Sequence, residues 1–525
     1  MYLVYCFTIA LLVLSPCSSV FGGSHSEGGG SADAVIFAVE TSGALTKADP
    51  QGLIFHALKL YAGLAGKDDS IGIIAFNKKG TSVIKKKTPA GPAIYTAIDS
   101  IAKPSSDNNT ASNPYTALKD ALTELTPDNT SRRTVVLISA SGAYAQAAEE
   151  DQKIRAAILD ELIPLYKDKE VRLFTVSLGT EPDEDFLLEL SKNTGGFNYP
   201  CPNAASLNTT FASIYETIKS PDILPMQTGR FIVDESIDSL TLLLFKSAQN
   251  TKIILQGPDG VKYSAGKSPA NISWGQSFNF DIVNVAAPLS GVWSITGSTA
   301  VDNRIYISTH LKLLSSVQSS YMQVNTKKKV DAWLELDGHT IDMRELTNTL
   351  GVRAAITGPD GVTVNVKLDF TEDTHGSSTE GGIFGDYFTP KAMGLYKFSL
   401  SAKSKTIERK KSFVVGVVEK QDTGIEQPHL DGQEPIEEVA VKKPSKILLW
   451  LKKMVTHDPS ALDKALVRFL PINLVLFSSV LLYINRAKIM ARGKRMAANV
   501  KLPKMNIFTK YLRRPERPQE TDDQD

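Results

Sequence analysis

Between Ala32 and Ser220, four short β-branched apolar runs (AVIFAV, SIGIIAF, TVVLIS and VRLFTVSL) alternate with stretches of helical character. The helical stretches include LIFHALKLYAGLAG, PYTALKDALTEL and DQKIRAAILDELIPLYKD. Strands buried on both faces read as continuous apolar runs, and parallel neighbours require a crossover connection, usually a helix. The alternation therefore predicts a doubly wound, mostly parallel α/β sheet over 32–220 with helices on both faces. At 525 residues the chain is too long for that unit alone, and about three domains are expected.

Residues 221–316 and 317–420 follow a different pattern. SLTLLLFK, TKIILQGPDGVKY, SFNFDIV and GVWSITG in the first stretch are short alternating runs between Gly, Pro and Asp turns. VDAWLELDG, VRAAITGPDGVTVNVKLDF, DYFTPKAMGLYKFSLSAKS and SFVVGVVE repeat the pattern in the second. Two all-β sandwich domains are predicted. They share a sequence repeat, ILQGPDGVKY at Ile254 and AITGPDGVTV at Ala355, in which Gly260 and Gly361 are expected to be tight-turn residues.

The order of these pieces resembles the von Willebrand factor A (vWA) domain, a Rossmann-like fold. KDDSIGIIAFN is similar to that family's second strand. VRLFTVSLGTEPDEDFLLELSKNTGGFNYP is similar to its late strand, helix and Thr-Gly-Gly turn, and LNTTFASIYETI to its last helix. An A domain followed by a β-domain also resembles the N-terminal layout of hemicentins, which are extracellular matrix proteins.

The resemblance implies a metal-ion-dependent adhesion site, and VIFAVETSGAL (Val35–Leu45) is where it begins. The family reads Asp-x-Ser-x-Ser there, with a Thr from a second loop and an Asp from a third. Here the first loop reads Glu40, Thr41, Ser42, Gly43, Ala44, so the acid is a Glu and the second serine is missing. The second loop offers Ser112, with Thr110 nearby, and the third offers Ala140 where the family has its Asp. Mg²⁺ wants near-octahedral oxygen ligands and gives up water reluctantly. The set Glu40, Ser42, Ala44, Ser112, Ala140 is therefore expected to be a degenerate site that holds no metal and needs no cofactor, with Mg²⁺ binding as the alternative.

The ends of the chain read as membrane topology. Residues 1–22 carry an apolar run from Tyr2 to Leu14 and then small residues, as in a secretory signal peptide lacking a basic n-region; an uncleaved signal anchor is the alternative. A Gly/Ser linker follows at 23–31. Residues 421–445 form an acidic stalk, 446–468 read as juxtamembrane amphipathic helices, and 469–485 as a transmembrane helix. Its charge-free stretch, FLPINLVLFSSVLLYI, would span roughly 24 Å as a helix, with flanking basic residues able to snorkel. The alternative is a buried core helix. In the tail, 486–525, eleven Lys or Arg against one acid lie between Arg486 and Arg517. That bias places the tail in the cytosol, where it could meet anionic lipid.

The sequons at Asn108, Asn129, Asn208 and Asn271 all lie on the side a signal peptide would translocate. Cys6 and Cys17 would leave with the signal, so Cys201 would have no internal disulfide partner, leaving it a quiet thiol or an intermolecular bridge. A short span keeps the endoplasmic reticulum and the plasma membrane both open as locations.

Nothing in the sequence points to an enzyme. The seven histidines are scattered without a His-Glu-x-x-His helix, and there is neither a Gly-x-Ser-x-Gly elbow nor a P-loop. Formal net charge +1 argues against nucleic acid as a partner of the whole chain. The expected protein is a type I single-pass membrane glycoprotein. Its ectodomain, an A domain at the tip with two sandwiches behind it, binds an extracellular, matrix or membrane protein in an adhesion- or receptor-like role. The alternative is an accessory or assembly subunit of a membrane channel or receptor complex.

Overall fold

The four apolar runs of the N-terminal segment lie side by side in one sheet. The computed structural model describes residues 32–78, 80–87, 92–101, 111–125, 132–248, 251–298, 302–342, 344, 348–371 and 383–419. The expected signal peptide, linker, stalk, juxtamembrane helices, transmembrane helix and tail fall outside the described residues, as do Thr110, Asn108 and Asn129. Among the described residues no helix is long and apolar enough to cross a membrane.

The sheet comprises β1 (Asp33–Glu40), β2 (Ser70–Asn77), β3 (Gly80–Lys87), β4 (Arg132–Ser139), β5 (Arg172–Leu178) and β6 (Asn198–Cys201), in the order β3-β2-β1-β4-β5-β6. All neighbours are parallel except β3, which runs antiparallel to β2 at the edge. The helices are α1 (Gly43–Ala48), α2 (Leu53–Leu64), α3 (Pro92–Ile101), α4 (Pro114–Glu124), α5 (Ala148–Ala157), α6 (Ile163–Asp168), α7 (Glu184–Asn193) and α8 (Leu207–Lys219).

Every residue of β1 is buried, and its alternation sorts two cores. Val35, Phe37 and Val39 face α2 and α8. Ala34, Ile36 and Ala38 face α4 and the α5–α6 arm. Phe37 stands between Tyr61 and Phe211, with ring centroids 4.9 and 5.4 Å away. The doubly wound architecture implied by the A-domain resemblance is thus visible in the strand order itself.

The β-rich part contains β7 (Asp222–Ile223), β8 (Arg230–Val233), β9 (Ile237–Phe245), β10 (Ile254–Gln256), β11 (Lys262–Tyr263), β12 (Ile272–Gln276), β13 (Phe280–Ala286), β14 (Gly291–Thr296) and β15 (Arg304–Thr309). The sheet β11-β10-β14-β8 faces the strands β12-β13-β9-β15 across a core built on Trp293, Leu242 and Leu255. Then come β16 (Leu311–Ser315), β17 (Ser320–Gln323), β18 (Lys328–Leu336), β19 (His339–Thr340), β20 (Gly351–Thr357), β21 (Thr363–Thr371), β22 (Ile383–Phe388), β23 (Gly394–Lys403) and β24 (Glu408–Val418).

In the second sandwich β21 pairs with β20 along its first part and with β22 at its end, so one strand turns the corner between the two layers. Strand β16 pairs with β18. The second module therefore begins at Leu311, earlier than the boundary at 316/317 read from the sequence. The apolar run LKLL is what hid this, since it continues the pattern of β15 without an intervening turn motif.

The repeated GPDG motifs are turns, as expected. Gly260 and Gly361 have φ of +79° and +76°, a region that side chains with a Cβ rarely enter. Asp259 and Asp360 each accept from the amide of the following Val at 3.0 Å.

The modules are not strung out behind one another. Strand β7 pairs with β15 on one side and β24 on the other, so a single sheet runs through both sandwiches. Helices α2 and α8 pack on that sheet, and the core they share includes Ile223, Leu243, Phe245, Ile282 and Tyr306. At Gly63 a Cβ would meet Ile282 Cδ1 at 2.5 Å, so backbone and sheet are in close approach. This corrects the expectation of an A domain standing at the tip with sandwiches behind it.

Two buried ionic clusters seal the joints. Glu216 of α8 accepts from Arg304 Nε at 3.0 Å and Tyr306 Oη at 3.3 Å, and pairs with Lys397 Nζ at 3.3 Å. Burial opposes its charge, but the Lys397 and Arg304 cations outweigh this and hold its carboxyl below the ordinary range. Arg409, fully buried on β24, grips Asp234 with two bonds of 2.7 and 2.9 Å. It also donates to Ser236 Oγ at 2.6 Å and to the Leu311 carbonyl at 3.0 Å, tying the second sandwich to the first. Burial would raise the Asp234 carboxyl, but the hydrogen bonds from Arg409 and Ser236 prevail and lower it.

Arg409→Ala should destabilise the chain by roughly 3 kcal/mol, since it strands a largely buried carboxylate. Urea denaturation checks this, and Arg409→Met with Asp234→Leu should recover part of the loss. Because the folded Asp234 carboxyl titrates below its ordinary value of about 3.9, the clamp's contribution is complete above that value. It disappears as pH falls through the lower folded value. The gap in stability between native protein and double variant should therefore narrow in acid.

Candidate functional site

In open α/β sheets, sites form beyond the carboxyl ends of the strands where the strand order reverses. Here that place is between β1 and β4, and the residues singled out in the sequence converge on it. Glu40 is the last residue of β1 and is fully buried. Ser42 follows as the N-cap of α1, its Oγ accepting from the Ala44 amide at 3.1 Å. Ala140 comes directly after β4, and Ser112 lies just before α4. Ala44 and Ala140 sit in the loops where the family has a serine and an aspartate, and both are buried.

The Glu40 carboxylate is saturated by its own chain. Oε1 accepts from Ser42 Oγ at 2.6 Å and from Ser141 Oγ. Oε2 accepts from Ser139 Oγ at 3.0 Å and from the Ala140 amide at 2.9 Å. A carboxylate has about four acceptor positions, and four donors fill them. Ser112 Oγ is buried with no hydrogen-bond partner among the described residues, while its amide donates to the Tyr144 carbonyl at 3.1 Å. Tyr144 is buried beneath the loop, and burial pushes its hydroxyl far above the ordinary tyrosine range.

The third loop is held at several points. The Tyr144 amide donates to Asp151 Oδ1 at 2.6 Å. Arg155 donates to Asp151 Oδ2 at 2.6 Å, to Asp183 Oδ2 at 2.7 Å and to the Gly142 carbonyl at 2.8 Å. Its guanidinium lies 4.6 Å from the Phe186 ring centroid and 5.2 Å from that of Tyr144. At Gly142 a Cβ would collide with the Glu181 backbone carbonyl oxygen, so any side chain there would have to displace the loop.

The donor set does not suit a hard divalent cation. The one carboxylate has both oxygens occupied, Ala44 and Ala140 bring no side-chain oxygen, and the oxygens that remain belong to neutral hydroxyls. Among the described residues no three His, Cys, Asp or Glu side chains gather in a way that could hold a metal. Ser139, Ser141 and Arg155 went unnoticed in the sequence as parts of this centre. The alternation Ser139-Ala-Ser141 at the end of a strand beside β1 was the available signal.

Of the two described sequons, Asn271 is exposed beside β12, with its Nδ2 donating to the Ala286 carbonyl at 3.0 Å. Asn208 is buried in the first turn of α8. Cys201 is a buried free thiol, raised by that burial.

No protein-family model matches this chain, and no curated protein matches it. Among solved structures it is similar to a von Willebrand factor type A protein from Catenulispora acidiphila, at 10% identity over 67% of this chain and 69% of that one, with TM-score 0.30. It is also similar to proximal thread matrix protein 1 from the mussel byssus, at 13% identity and TM-score 0.28, covering 36% of this chain and 49% of that one. A third is the ArnB paralog VWA2 from Sulfolobus acidocaldarius, at 10% identity and TM-score 0.27, covering 74% and 67%. Likenesses this distant concern the fold and carry no functional argument.

Gly142→Ala should push the third loop off Glu181 and lower stability by about 1–3 kcal/mol. Thermal melting would show it, with faster amide exchange confined to the residues around Tyr144.

Proposed function

We propose that this chain is a type I single-pass membrane glycoprotein whose ectodomain binds a protein partner in an adhesion- or receptor-like role. The observation that carries the reading is the placement of the A-type module. Its α2–α8 face is consumed by the shared β-sheet, whereas loop residues at the carboxyl end of its sheet, such as Gly142, Gln146 and Glu181, remain exposed. A rigid body presenting loops on a fixed scaffold suits recognition. The module order supports the same reading through its likeness to the hemicentin layout. No catalytic role is proposed, and the protein is placed in the plasma membrane or endoplasmic reticulum with its ectodomain outside or in the lumen.

A second reading is an accessory or assembly subunit of a membrane channel or receptor. Ile232 and Val292 favour it: they stand opposite each other on neighbouring strands of the first sandwich, each nearly half exposed. Such a pair on an outer sheet face suits lateral contact with a larger complex. Purification in mild detergent separates the two readings, matrix or surface ligands supporting the first and a multi-pass complex the second.

Treatment with an N-glycosidase should sharpen and lower the gel band of the purified protein. Asn271→Gln should remove more of that shift than Asn208→Gln, because a buried helical amide is a poor acceptor of a glycan. An unshifted band would count against the topology. Truncation before Lys446 should release a soluble ectodomain, and carbonate-resistant membrane association of that truncation would sink the C-terminal anchor.

A further inference from the structure

We infer that the Glu40 carboxylate itself occupies the organising role that a cation plays in the metal-bearing pattern, so that the tip of the A-type module is closed and independent of divalent ions. The inference concerns the same tip as the partner-binding reading and stands whether or not a partner binds there.

The argument starts from reach. Glutamate carries one methylene more than the aspartate of the family pattern. From the end of β1 that extra length brings both oxygens of Glu40 to the end of the neighbouring strand β4. There it meets Ser139 Oγ at 3.0 Å, the Ala140 amide at 2.9 Å and Ser141 Oγ, while still holding Ser42 Oγ at 2.6 Å in its own loop. Hydrogen bonds to an ionised acceptor are about twice as strong as neutral ones, so four of them can hold a buried anion with no counter-ion.

The substitutions agree with one another. With Ala at 140, the loop contributes a backbone N–H toward Glu40, where an aspartate would set a second anion against it. With Ala at 44, no hydroxyl competes, and the residue's amide donates to the capping Ser42 Oγ at 3.1 Å. Acid, first loop and third loop form one hydrogen-bonded unit with no charged oxygen left to bind an ion. A partner therefore meets no open coordination position that would call for an anionic oxygen.

The test uses the full chain in detergent. Its melting temperature should be the same in EDTA as in millimolar Mg²⁺ or Mn²⁺, because an ion present at 100-fold over its Kd would raise it by several degrees. Amide exchange around Ala140–Tyr144 should likewise ignore EDTA. Glu40→Asp should lose protection in that loop by about tenfold or more, since the shorter side chain cannot hold both strands' donors, and added cation should not restore it. A cation-dependent melting temperature of the native chain, saturable micromolar Mn²⁺ binding, or a Glu40→Asp variant whose loop is as protected as the native one would each overturn the proposal. Should Glu40→Asp fail to fold, the comparison of native protein with and without EDTA still decides.

Discussion

Two residues, Asp222 and Ile223, determine how the whole described body is assembled. They leave α8 after a left-handed residue, Ser220 at φ +48°, and enter the β-rich part as a strand between β15 and β24. Without them β15 and β24 would lose their pairing at Tyr306–Ile307 and Lys410–Lys411, and unpaired strand edges are surfaces that natural proteins avoid exposing. With them the two sheets become continuous and α8 is laid across the result. The apolar face of α2 and α8 then has a partner, and Gly63 allows the approach.

Such an interface buries charges as well as hydrocarbon, and the chain balances them in two different ways. Glu216 and Asp234 meet Arg304, Lys397 and Arg409, cations drawn from the modules being joined. Removing one partner would strand the other, so these contacts resist separation of the modules. Glu40 meets hydroxyls and an amide from its own module instead. The first arrangement ties one module to another, and the second ties the ends of β1 and β4 within one.

The contrast bears on function. A scaffold welded along one side leaves the opposite loops exposed, with their backbone held by Arg155 and Asp151. On the partner-binding reading proposed above, loops held in this way would have little entropy left to lose on binding.

The strands and helices of the A-type module were legible in the sequence because burial on both faces leaves unbroken apolar runs, as in β1, β4 and β5. Edge strand β3, with its run of lysines, and the short β6 carry a weaker pattern and were not separated from their surroundings. The GPDG turns were legible because a positive φ demands glycine. The absence of side-chain oxygens at Ala44 and Ala140 was also readable, since it depends only on residue identity. The docking of helices on the shared sheet, the β16 boundary and the joining role of Arg409 were not, because each links residues distant in sequence with no local signature. Glu40 shows where the division falls. Its identity and its departure from the family acid are properties of the sequence, but whether its carboxylate faces an ion or the donors of β4 depends on β1 and β4 lying side by side. Only the tertiary structure brings residues 40 and 139–141 within hydrogen-bond reach.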